Sequence, residues 1–422
     1  MKKTVALHTL ACKLTFSETT AIGRLLEKEG FEKKEFEEVA DVYVINTCSV
    51  TDNADKECRQ LVRRIQRRAP ESMVVVTGCY AQLKPKEIAE ISGVNLVLGA
   101  AEKFNIAKHV KELSINDAGK ICSCDIEDVN IFTASHSVHE RTRVFLKVQD
   151  GCDYSCTFCT IPMARGISRS DSIENVLHNV KNIAASGSKE IVLTGINLGD
   201  FGKGFQGGKK REETFFDLMK ELENTDGIER FRISSIEPNL LTLEMIEFVA
   251  ASKKFMPHFH IPLQSGSDRI LRLMKRRYLT PLYRERINHI KNVMPHACIG
   301  VDVIVGFPGE TDEDFEETYQ FLESLEISYL HVFTYSERDN TPAAEMKPVV
   351  PVNVRNERNK KLRELSYHKM QAFTQNHIGE IRPVLFESKN ANGMVEGYTD
   401  NYIRVSAMAT PEIENKIVHW KL

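Results

Sequence analysis

An alternation of continuous apolar strands with amphipathic helices constrains the fold of this chain more than any other feature. Four apolar runs, each followed by a helical stretch, occupy the first hundred residues, at 4–10, 42–47, 73–78 and 95–100. Apolar strands separated by helices indicate βαβ units, whose parallel strands are buried on both faces. The sequence therefore predicts that residues 1–120 form a small doubly wound parallel α/β domain.

The alternation resumes after a connector at residues 121–142 that has no clear period. Six further strand candidates are separated by helical stretches, at 143–149, 189–195, 230–236, 258–264, 297–306 and 329–336. Six βα units in one run predict a partial (βα)6 barrel over residues 143–350.

The last part of the chain changes character twice. Residues 351–377 are predicted to form one long polar helix that flanks the barrel. Short alternating strands then fill residues 378–422, which predicts a small antiparallel β-barrel module.

Length and charge limit the class of protein. The chain has 422 residues, enough for roughly three domains. Its formal net charge is −3, so any nucleic-acid surface has to be local. The apolar run at the N-terminus is interrupted by His8 and closed by Lys13, unlike a secretory signal. With no apolar stretch of ~18 residues, we expect a cytoplasmic protein that does not bind membranes. We also expect it to be a monomer.

Three of the ten cysteines share one predicted structural position. Cys12, Cys48 and Cys79 each follow the carboxyl end of a predicted parallel strand. Such ends lie along one edge of an open sheet, where ligands bind. Because a reducing cytosol disfavours disulfides, this placement favours a metal site over three unrelated buried thiols.

The remaining isolated cysteines are interpreted differently. Cys58 lies inside a predicted helix and Cys298 at a strand start, so both are expected to be packed thiols. Cys122 and Cys124 form a C-x-C in the connector and are not expected to be ligands.

A second set of three cysteines opens the predicted barrel, in the stretch "DGCDYSCTFCTIP". Cys152, Cys156 and Cys159 follow the first barrel strand, at the end where barrel enzymes place their chemistry. Closely spaced thiolates bind iron–sulfur clusters. A zinc site would need a fourth Cys or His nearby, and the next histidine, His178, lies in a predicted helix. The missing ligand is therefore interpreted as an open iron for a small molecule.

This C-x3-C-x2-C motif at the first strand of a βα barrel resembles the signature of the radical S-adenosylmethionine enzymes. With "TLACKL", "NTCSVTDNADKE", "TGCYAQ", "CTIPMARGISRS", "PLQSGSDRIL" and "EGYTDNYIRV", nearly the whole chain resembles the methylthiotransferase family. The resemblance implies an N-terminal cluster domain, a radical S-adenosylmethionine barrel and a C-terminal TRAM module. The chain departs from the family pattern at Ala11, Thr15 and Ala101, which flank the first cluster loop without removing a ligand.

The resemblance also implies the cofactors and the residues that bind them. Two [4Fe–4S] clusters would be held by Cys12, Cys48 and Cys79 and by Cys152, Cys156 and Cys159. The residues expected to meet S-adenosylmethionine are Phe158, Gly195, Asn197, Ser235, Glu237, Gln264 and Ser265. Polar residues at barrel strand ends favour a site over a core. The loop 305–311 fits a ligand loop and a structural turn equally well.

Within the family, "CK" and "CTIPMARG" are most similar to the branch that modifies threonylcarbamoyladenosine in tRNA. That implies addition of a methylthio group to C2 of this nucleoside at position 37, with two S-adenosylmethionine molecules. The implied partners are the tRNA anticodon loop and a reductant such as flavodoxin or ferredoxin. Two basic clusters are predicted to contact RNA: Arg63, Arg64, Arg67 and Arg68, and Lys275, Arg276 and Arg277.

Two alternatives remain open. The first keeps the chemistry but takes isopentenyladenosine in tRNA or a ribosomal-protein aspartate as substrate. The second is a non-catalytic iron–sulfur protein that binds RNA and senses redox state. Polar residues at the barrel strand ends favour an enzyme, because a sensor needs no pocket for a cosubstrate.

Overall fold

A computed structural model of the protein describes residues 2–10, 12–48, 52–115, 117–137, 142–203, 205–206, 209–210, 212–390 and 392–422. Its first sheet has six strands: β1 (Thr4–Thr9), β2 (Glu32–Lys34), β3 (Val42–Thr47), β4 (Met73–Gly78), β5 (Leu96–Leu98) and β6 (Lys120–Cys122). The helices between them are α1 (Lys13–Lys28), α2 (Asp52–Arg68), α3 (Cys79–Leu83), α4 (Pro85–Ala89) and α5 (Ile106–Glu112).

The first sheet is wholly parallel, in the order β2-β1-β3-β4-β5-β6. One face packs against α1 and α5, and the other packs against α2. Helices on both faces leave the central strands buried throughout. The predicted doubly wound α/β architecture is therefore confirmed, while the two short edge strands β2 and β6 add to it.

The central part of the chain curves as a partial barrel. Its strands are β7 (Ser135–His136), β8 (Arg143–Lys147), β9 (Gln149–Asp150), β10 (Arg169–Ser170), β11 (Glu190–Thr194), β12 (Phe205–Gln206), β13 (Lys209–Lys210), β14 (Arg230–Ile233), β15 (His258–His260), β16 (Cys298–Val305) and β17 (Tyr329–Thr334). Its helices are α6 (Ile161–Arg165), α7 (Ile173–Ala185), α8 (Phe215–Glu223), α9 (Leu243–Ala251), α10 (Asp268–Leu273), α11 (Thr280–Val293), α12 (Asp312–Ser324) and α13 (Pro342–Glu345).

All six predicted barrel strands are present and parallel. β8, β11 and β14 pair in one sheet, and β15, β16 and β17 pair in another. Single bridges between Phe231 and Phe255 and between Ser235 and His260 join β14 to the β15 side. The two sheets share one large apolar core with the surrounding helices, which confirms the predicted partial (βα)6 barrel.

The long helix α14 (Val352–Gln375) runs along β17 and leads to the C-terminal sheet. That sheet contains β18 (Ile381–Phe386), β19 (Met394–Thr399), β20 (Arg404–Met408) and β21 (Ile417–Lys421). All its neighbours are antiparallel, in the order β20-β19-β18-β21. Among the described helices, α14 included, none has the length and hydropathy needed to cross a bilayer.

Arginines on the barrel strands fix the C-terminal sheet in place. Arg232 donates to the carbonyls of Thr399 and Asp400, at 2.7 and 2.8 Å. Arg230 donates to the carbonyl of Pro383 at 2.8 Å. These contacts join the barrel to the C-terminal sheet. The domain boundaries at 120, 142, 350 and 377 stay predictions.

Candidate active site

A cavity of about 920 Å³ lies where the first sheet, the barrel and the C-terminal sheet meet. Both cysteine sets contribute to its wall: Cys12, Cys48 and Cys79 from the first sheet, and Cys152, Cys156 and Cys159 from the barrel. The carboxyl ends of strands from the first sheet and from the barrel contribute residues to this wall. Two thiol triads that are far apart in sequence therefore face one shared cavity.

The first triad follows three adjacent strands, β1, β3 and β4. Cys12 caps the N-terminus of α1, where its Sγ accepts from the backbone N–H of Thr15 at 3.4 Å. Cys79 begins α3 directly after Gly78, whose φ is 99°. A Cβ at Gly78 would lie 2.3 Å from the carbonyl oxygen of Thr47, so only glycine allows the turn that places Cys79.

The second triad lies on the loop between β9 and α6. Cys152 Sγ accepts from the backbone N–H of Tyr154 at 3.4 Å. Arg276 Nη1 donates to Cys156 Sγ at 3.0 Å, and its other terminal nitrogen pairs with the Glu237 carboxylate. Arg276 therefore links the triad to an acidic residue of the same cavity.

Burial controls the protonation of this second triad. It raises the pKa of the Cys152 and Cys159 thiols to about 12 and also raises that of Cys156. Burial likewise raises the pKa of Glu237, against the opposing effect of Arg276. Thiols of this kind ionise when a metal binds, so metal binding at the triad would release protons.

Six of the seven residues predicted to contact S-adenosylmethionine line the cavity: Phe158, Gly195, Asn197, Ser235, Glu237 and Gln264. Asn197 is already bonded within the protein, because its Nδ2 donates to Asp200 at 3.0 Å and its Oδ1 accepts from the backbone N–H of Glu237 at 3.2 Å. Phe158 both lines the cavity and packs edge-on against Phe307. Gln264 has a φ of 73°, so its backbone lies in the left-handed region, which few residues other than glycine adopt.

Ser265 is not among the lining residues and is buried behind the wall. Its hydroxyl lies 3.2 Å from that of Thr318 and accepts from the backbone N–H of Ser267. The loop 305–311 also lies outside the cavity lining, and Thr311 caps α12 through a reciprocal contact with Asp314. That geometry is typical of a structural turn.

A buried ionic network joins α1 of the first sheet to the barrel. The Glu18 carboxylate lies 3.0 Å from Lys103 Nζ and 3.2 Å from Lys147 Nζ. Arg165 Nη1 lies 3.1 Å from Glu18 and 2.9 Å from Asp150. Burial opposes the ionisation of Glu18, but the surrounding cations outweigh it and hold its pKa well below the usual range.

Arg165 also carries this network to the first thiol triad. It ends α6, which follows Cys159 in the chain, and its charge interacts with Cys79 and Cys12. Burial opposes the charge of Arg165, yet these thiols, Glu18 and Asp150 raise its pKa well above the ordinary value. A cation from the barrel therefore lies close to the first triad, where it would offset the charge of thiolates.

Several cavity residues were not predicted from the sequence. His260 Nε2 lies 2.8 Å from Asp302 Oδ1, and His331 joins them so that all three ligand atoms lie within 4.8 Å of one another. Polar side chains at interior positions of β15, β16 and β17 are the sequence signal that could have revealed this group. The trio adds hydrogen-bonding groups to the wall that the six cysteines also line.

Lys13 and two tyrosines of the C-terminal sheet complete the wall. Tyr398 and Tyr402 stack at 4.8 Å between ring centroids, and Tyr402 stacks on His258 at 4.0 Å. Burial lowers the pKa of Lys13, and Arg143 and Arg232 lower it further, against the effect of Tyr402. The adjacent "CK" pair was noted in the sequence, but the position of the lysine in the cavity was not foreseen.

The predicted RNA contacts separate into a surface group and a buried residue. Arg63, Arg64, Arg67 and Arg68 lie together on α2, where Arg64 and Arg68 form ion pairs with Glu37 at 3.0 and 2.7 Å. Lys275 and Arg277 are exposed, and the Arg277 guanidinium lies 3.9 Å from the Tyr154 ring centroid. Arg276, in contrast, lies inside the cavity beside Cys156.

The four other cysteines lie away from the cavity lining. Cys58 and Cys298 are buried in apolar clusters. Cys122 ends β6, and the carbonyl of Cys124 accepts from Gln82 at 3.0 Å. Of the three departures from the family pattern, Thr15 contacts Cys12, Ala101 is exposed in a turn, and Ala11 lies outside the described residues.

Two family patterns match the chain in the regions that carry the two triads. Residues 146–322 match the Radical SAM superfamily. Residues 4–99 match a family described as Uncharacterized protein family UPF0004.

Curated relatives resemble the chain over almost its whole length. The threonylcarbamoyladenosine tRNA methylthiotransferase MtaB of Bacillus subtilis is 41% identical, over 99% of this chain and 93% of the relative. The chain belongs to the radical S-adenosylmethionine methylthiotransferase family. The enzyme of the same name from Aquifex aeolicus is 40% identical, over 97% of this chain and 98% of the relative. The tRNA-2-methylthio-N(6)-dimethylallyladenosine synthase of Clostridium botulinum is 31% identical, over 99% and 93%.

A solved structure shares the fold of this methylthiotransferase at low identity. The radical S-adenosylmethionine methyltransferase TsrM of Kitasatospora setae superposes with a TM-score of 0.58 and 14% identity, over 81% of this chain and 75% of that chain. The superfamily implies S-adenosylmethionine and a [4Fe–4S] cluster. The loop that carries Cys152, Cys156 and Cys159 fits such a cluster, because all three thiols line the cavity. The Arg276 guanidinium contacts one of them, Cys156.

Proposed function

We propose that this methylthiotransferase adds a methylthio group to C2 of N6-threonylcarbamoyladenosine at position 37 of tRNA. The observation that carries the proposal is the single cavity that both thiol triads line. A radical site and a sulfur-bearing site have to act on one atom of the substrate, so they need a common chamber. Two distant triads in one wall meet that requirement.

Two [4Fe–4S] clusters belong to the proposal. Cys152, Cys156 and Cys159 would hold one cluster, and Cys12, Cys48 and Cys79 would hold the other. When bound, the clusters and two molecules of S-adenosylmethionine would supply the radical, the methyl group and the sulfur that methylthio transfer needs, with the electron coming from the reductant. Three thiols at each site leave one cluster position for a small molecule.

The residues around the triads orient and shield the reactants. Arg276 holds the Glu237 carboxylate and touches Cys156, which fixes two groups of the wall relative to each other. Arg165 brings a buried positive charge to the first triad, where it would offset the charge of thiolates. Tyr398 and Tyr402 line the cavity on the side of the C-terminal sheet, where they would limit the entry of water.

The substrate assignment rests on the relatives. The two most similar of those reported act, by their names, on threonylcarbamoyladenosine in tRNA, at 41 and 40% identity. The dimethylallyladenosine synthase is more distant, at 31%. We infer that the tRNA anticodon loop is the partner, because a loop base can be extruded into a deep site without melting a duplex. The remaining partner is a cytoplasmic reductant such as flavodoxin or ferredoxin.

The test is the nucleoside content of tRNA from a strain that lacks its own enzyme and carries this gene. Mass spectrometry should detect the 2-methylthio derivative of threonylcarbamoyladenosine. A Cys48→Ala variant should abolish that product, and Cys58→Ala, a buried cysteine outside the cavity, is the matched control. A methylthio group on isopentenyladenosine instead, or on neither nucleoside, would contradict the assignment.

A further inference from the structure

A side chamber of about 400 Å³ adjoins the main cavity beside the first thiol triad. The two spaces share Cys12, Lys13, Tyr398 and Tyr402 in their walls. The chamber extends between α1 and the barrel strands. A group attached to a base in the main cavity and directed past Cys12 would enter this chamber.

The described wall of the chamber is cationic, with Lys13, Arg143 and Arg232 and no carboxylate. Arg232 is engaged by the Glu190 carboxylate at 2.8 Å and by two carbonyls of the C-terminal sheet. Arg143 is bonded to Glu387 at 2.8 Å. Neither arginine therefore depends on a ligand for its partner.

Lys13 differs from these arginines. Among the residues that the structure describes, it forms neither an ion pair nor a hydrogen bond, although it faces Asp302 and Tyr402. Asp302 is itself bonded to His260. An ammonium group without a partner, in a chamber free of described carboxylates, is suited to an anionic ligand.

We propose that this chamber receives the threonylcarbamoyl group of the substrate and that Lys13 binds its carboxylate. The inference rests on the proposed function and adds the residue that selects the substrate. A threonylcarbamoyl group ends in a carboxylate and a hydroxyl, whereas an isopentenyl group is wholly apolar. The chamber would therefore disfavour the apolar substituent, because that group would displace water from the Lys13 ammonium without offering a counter-charge.

The test is a thermodynamic cycle, analogous to a double-mutant cycle, in which one change is made in the RNA and one in the protein. The quantity measured is the affinity of an anticodon stem-loop RNA for the reconstituted protein. The RNA carries either threonylcarbamoyladenosine or its methyl ester, which removes the negative charge. The protein is wild type, Lys13→Gln, Lys13→Arg or Lys28→Gln. Lys28 lies at the exposed end of the same helix, so its variant matches the change in net charge.

Wild type and Lys28→Gln should bind the carboxylate RNA about tenfold more tightly than the ester, as a charge-assisted hydrogen bond predicts. Lys13→Gln should lose this preference, and Lys13→Arg should keep most of it. An equal preference in Lys13→Gln and wild type would overturn the inference. Loss of iron from Lys13→Gln alone would also overturn it, because Lys13 would then serve the first triad.

The two proposals fail in different ways. If wild-type protein does not methylthiolate the carboxylate RNA, the proposed function fails. If it does, but binding is insensitive to the charge at Lys13, only the assignment of Lys13 fails.

Discussion

At the scale of single residues, His258 is a buried neutral histidine in the wall of the side chamber. Its ring is stacked on Tyr402, and its Nε2 lies 3.1 Å from the hydroxyl of Tyr329. Burial, reinforced by Arg232 and Lys13, lowers its pKa well below the ordinary 6.5. The folded protein therefore keeps the ring neutral at a pH where the unfolded chain would bind a proton.

This histidine predicts a pH dependence of stability. The unfolded state binds more protons below pH 6.5, so the free energy of unfolding should fall as the pH is lowered from there, by up to about 1.4 kcal/mol per pH unit from this group. Urea unfolding at pH 7.5 and 5.5 measures the loss. The loss should be smaller in His258→Gln than in wild type. His368→Gln, at an exposed histidine, should behave as wild type; equal losses in all three proteins would refute the prediction.

At the scale of elements, a buried ion pair between β11 and β14 helps to hold the C-terminal sheet against the barrel. Glu190 is fully buried and lies 2.8 Å from Arg232 Nε. Burial opposes its ionisation, but Arg232 and Arg143 outweigh that effect and lower its pKa. Arg232 in turn reaches Thr399 and Asp400, so one ion pair serves both the barrel and the added sheet.

Removal of one partner should therefore be costly. Arg232→Met leaves the Glu190 carboxylate without its main partner and should destabilise the protein by about 3–5 kcal/mol. Adding Glu190→Gln should restore more than half of that loss, as measured by urea unfolding. Lys189→Met is the matched control, because the Lys189–Glu229 pair is exposed and contributes about 0–1 kcal/mol. A loss of this small size for Arg232→Met would disprove the role of the buried pair.

Strands could be predicted from the sequence where burial on both faces requires a continuous run of apolar residues. β3 and β4 are wholly buried, so their apolar runs give strands with the observed bounds. The cysteines at their ends converge because parallel strands share an edge. β2 has the sequence Glu-Lys-Lys and is mostly exposed at the sheet edge, so no apolar pattern marked it.

The role of a side chain was harder to predict when its partners are distant in sequence. Arg276 belongs to a run of basic residues that resembles an exposed RNA surface, but it lies in the cavity with Cys156 and Glu237. These partners are 120 and 39 positions away along the chain. Lys13 likewise acquires its surroundings from the barrel and the C-terminal sheet. Only tertiary packing decides whether such a cation meets solvent or a cavity.

At the scale of the whole molecule, a basic face of α2 is the predicted RNA contact. Arg64 and Arg68 are paired with Glu37, whereas Arg63 and Arg67 are exposed on the same face. Phosphate contacts make affinity depend on salt, because each one releases counterions. The two exposed arginines are therefore the sharper target for mutation.

Charge reversal at Arg63 and Arg67 should weaken tRNA binding about tenfold at low salt and reduce the slope of log K against log salt by roughly 2. Filter binding at several salt concentrations measures both quantities. Lys360→Glu/Lys361→Glu on α14 changes the charge equally on another exposed face. Unchanged affinity of the Arg63/Arg67 variant at low salt, or an equal effect in the α14 control, would exclude this face as the RNA contact.

The central claim is that one cavity holds two clusters, one on each triad. Anaerobic reconstitution with iron and sulfide, followed by iron counting and Mössbauer spectroscopy, tests it most directly. Wild type should bind about eight irons, and Cys152/Cys156/Cys159→Ala and Cys12/Cys48/Cys79→Ala should each bind about four. About four irons in wild type, falling to none in the Cys152/Cys156/Cys159 variant, would mean that the first triad holds no cluster and would contradict the account.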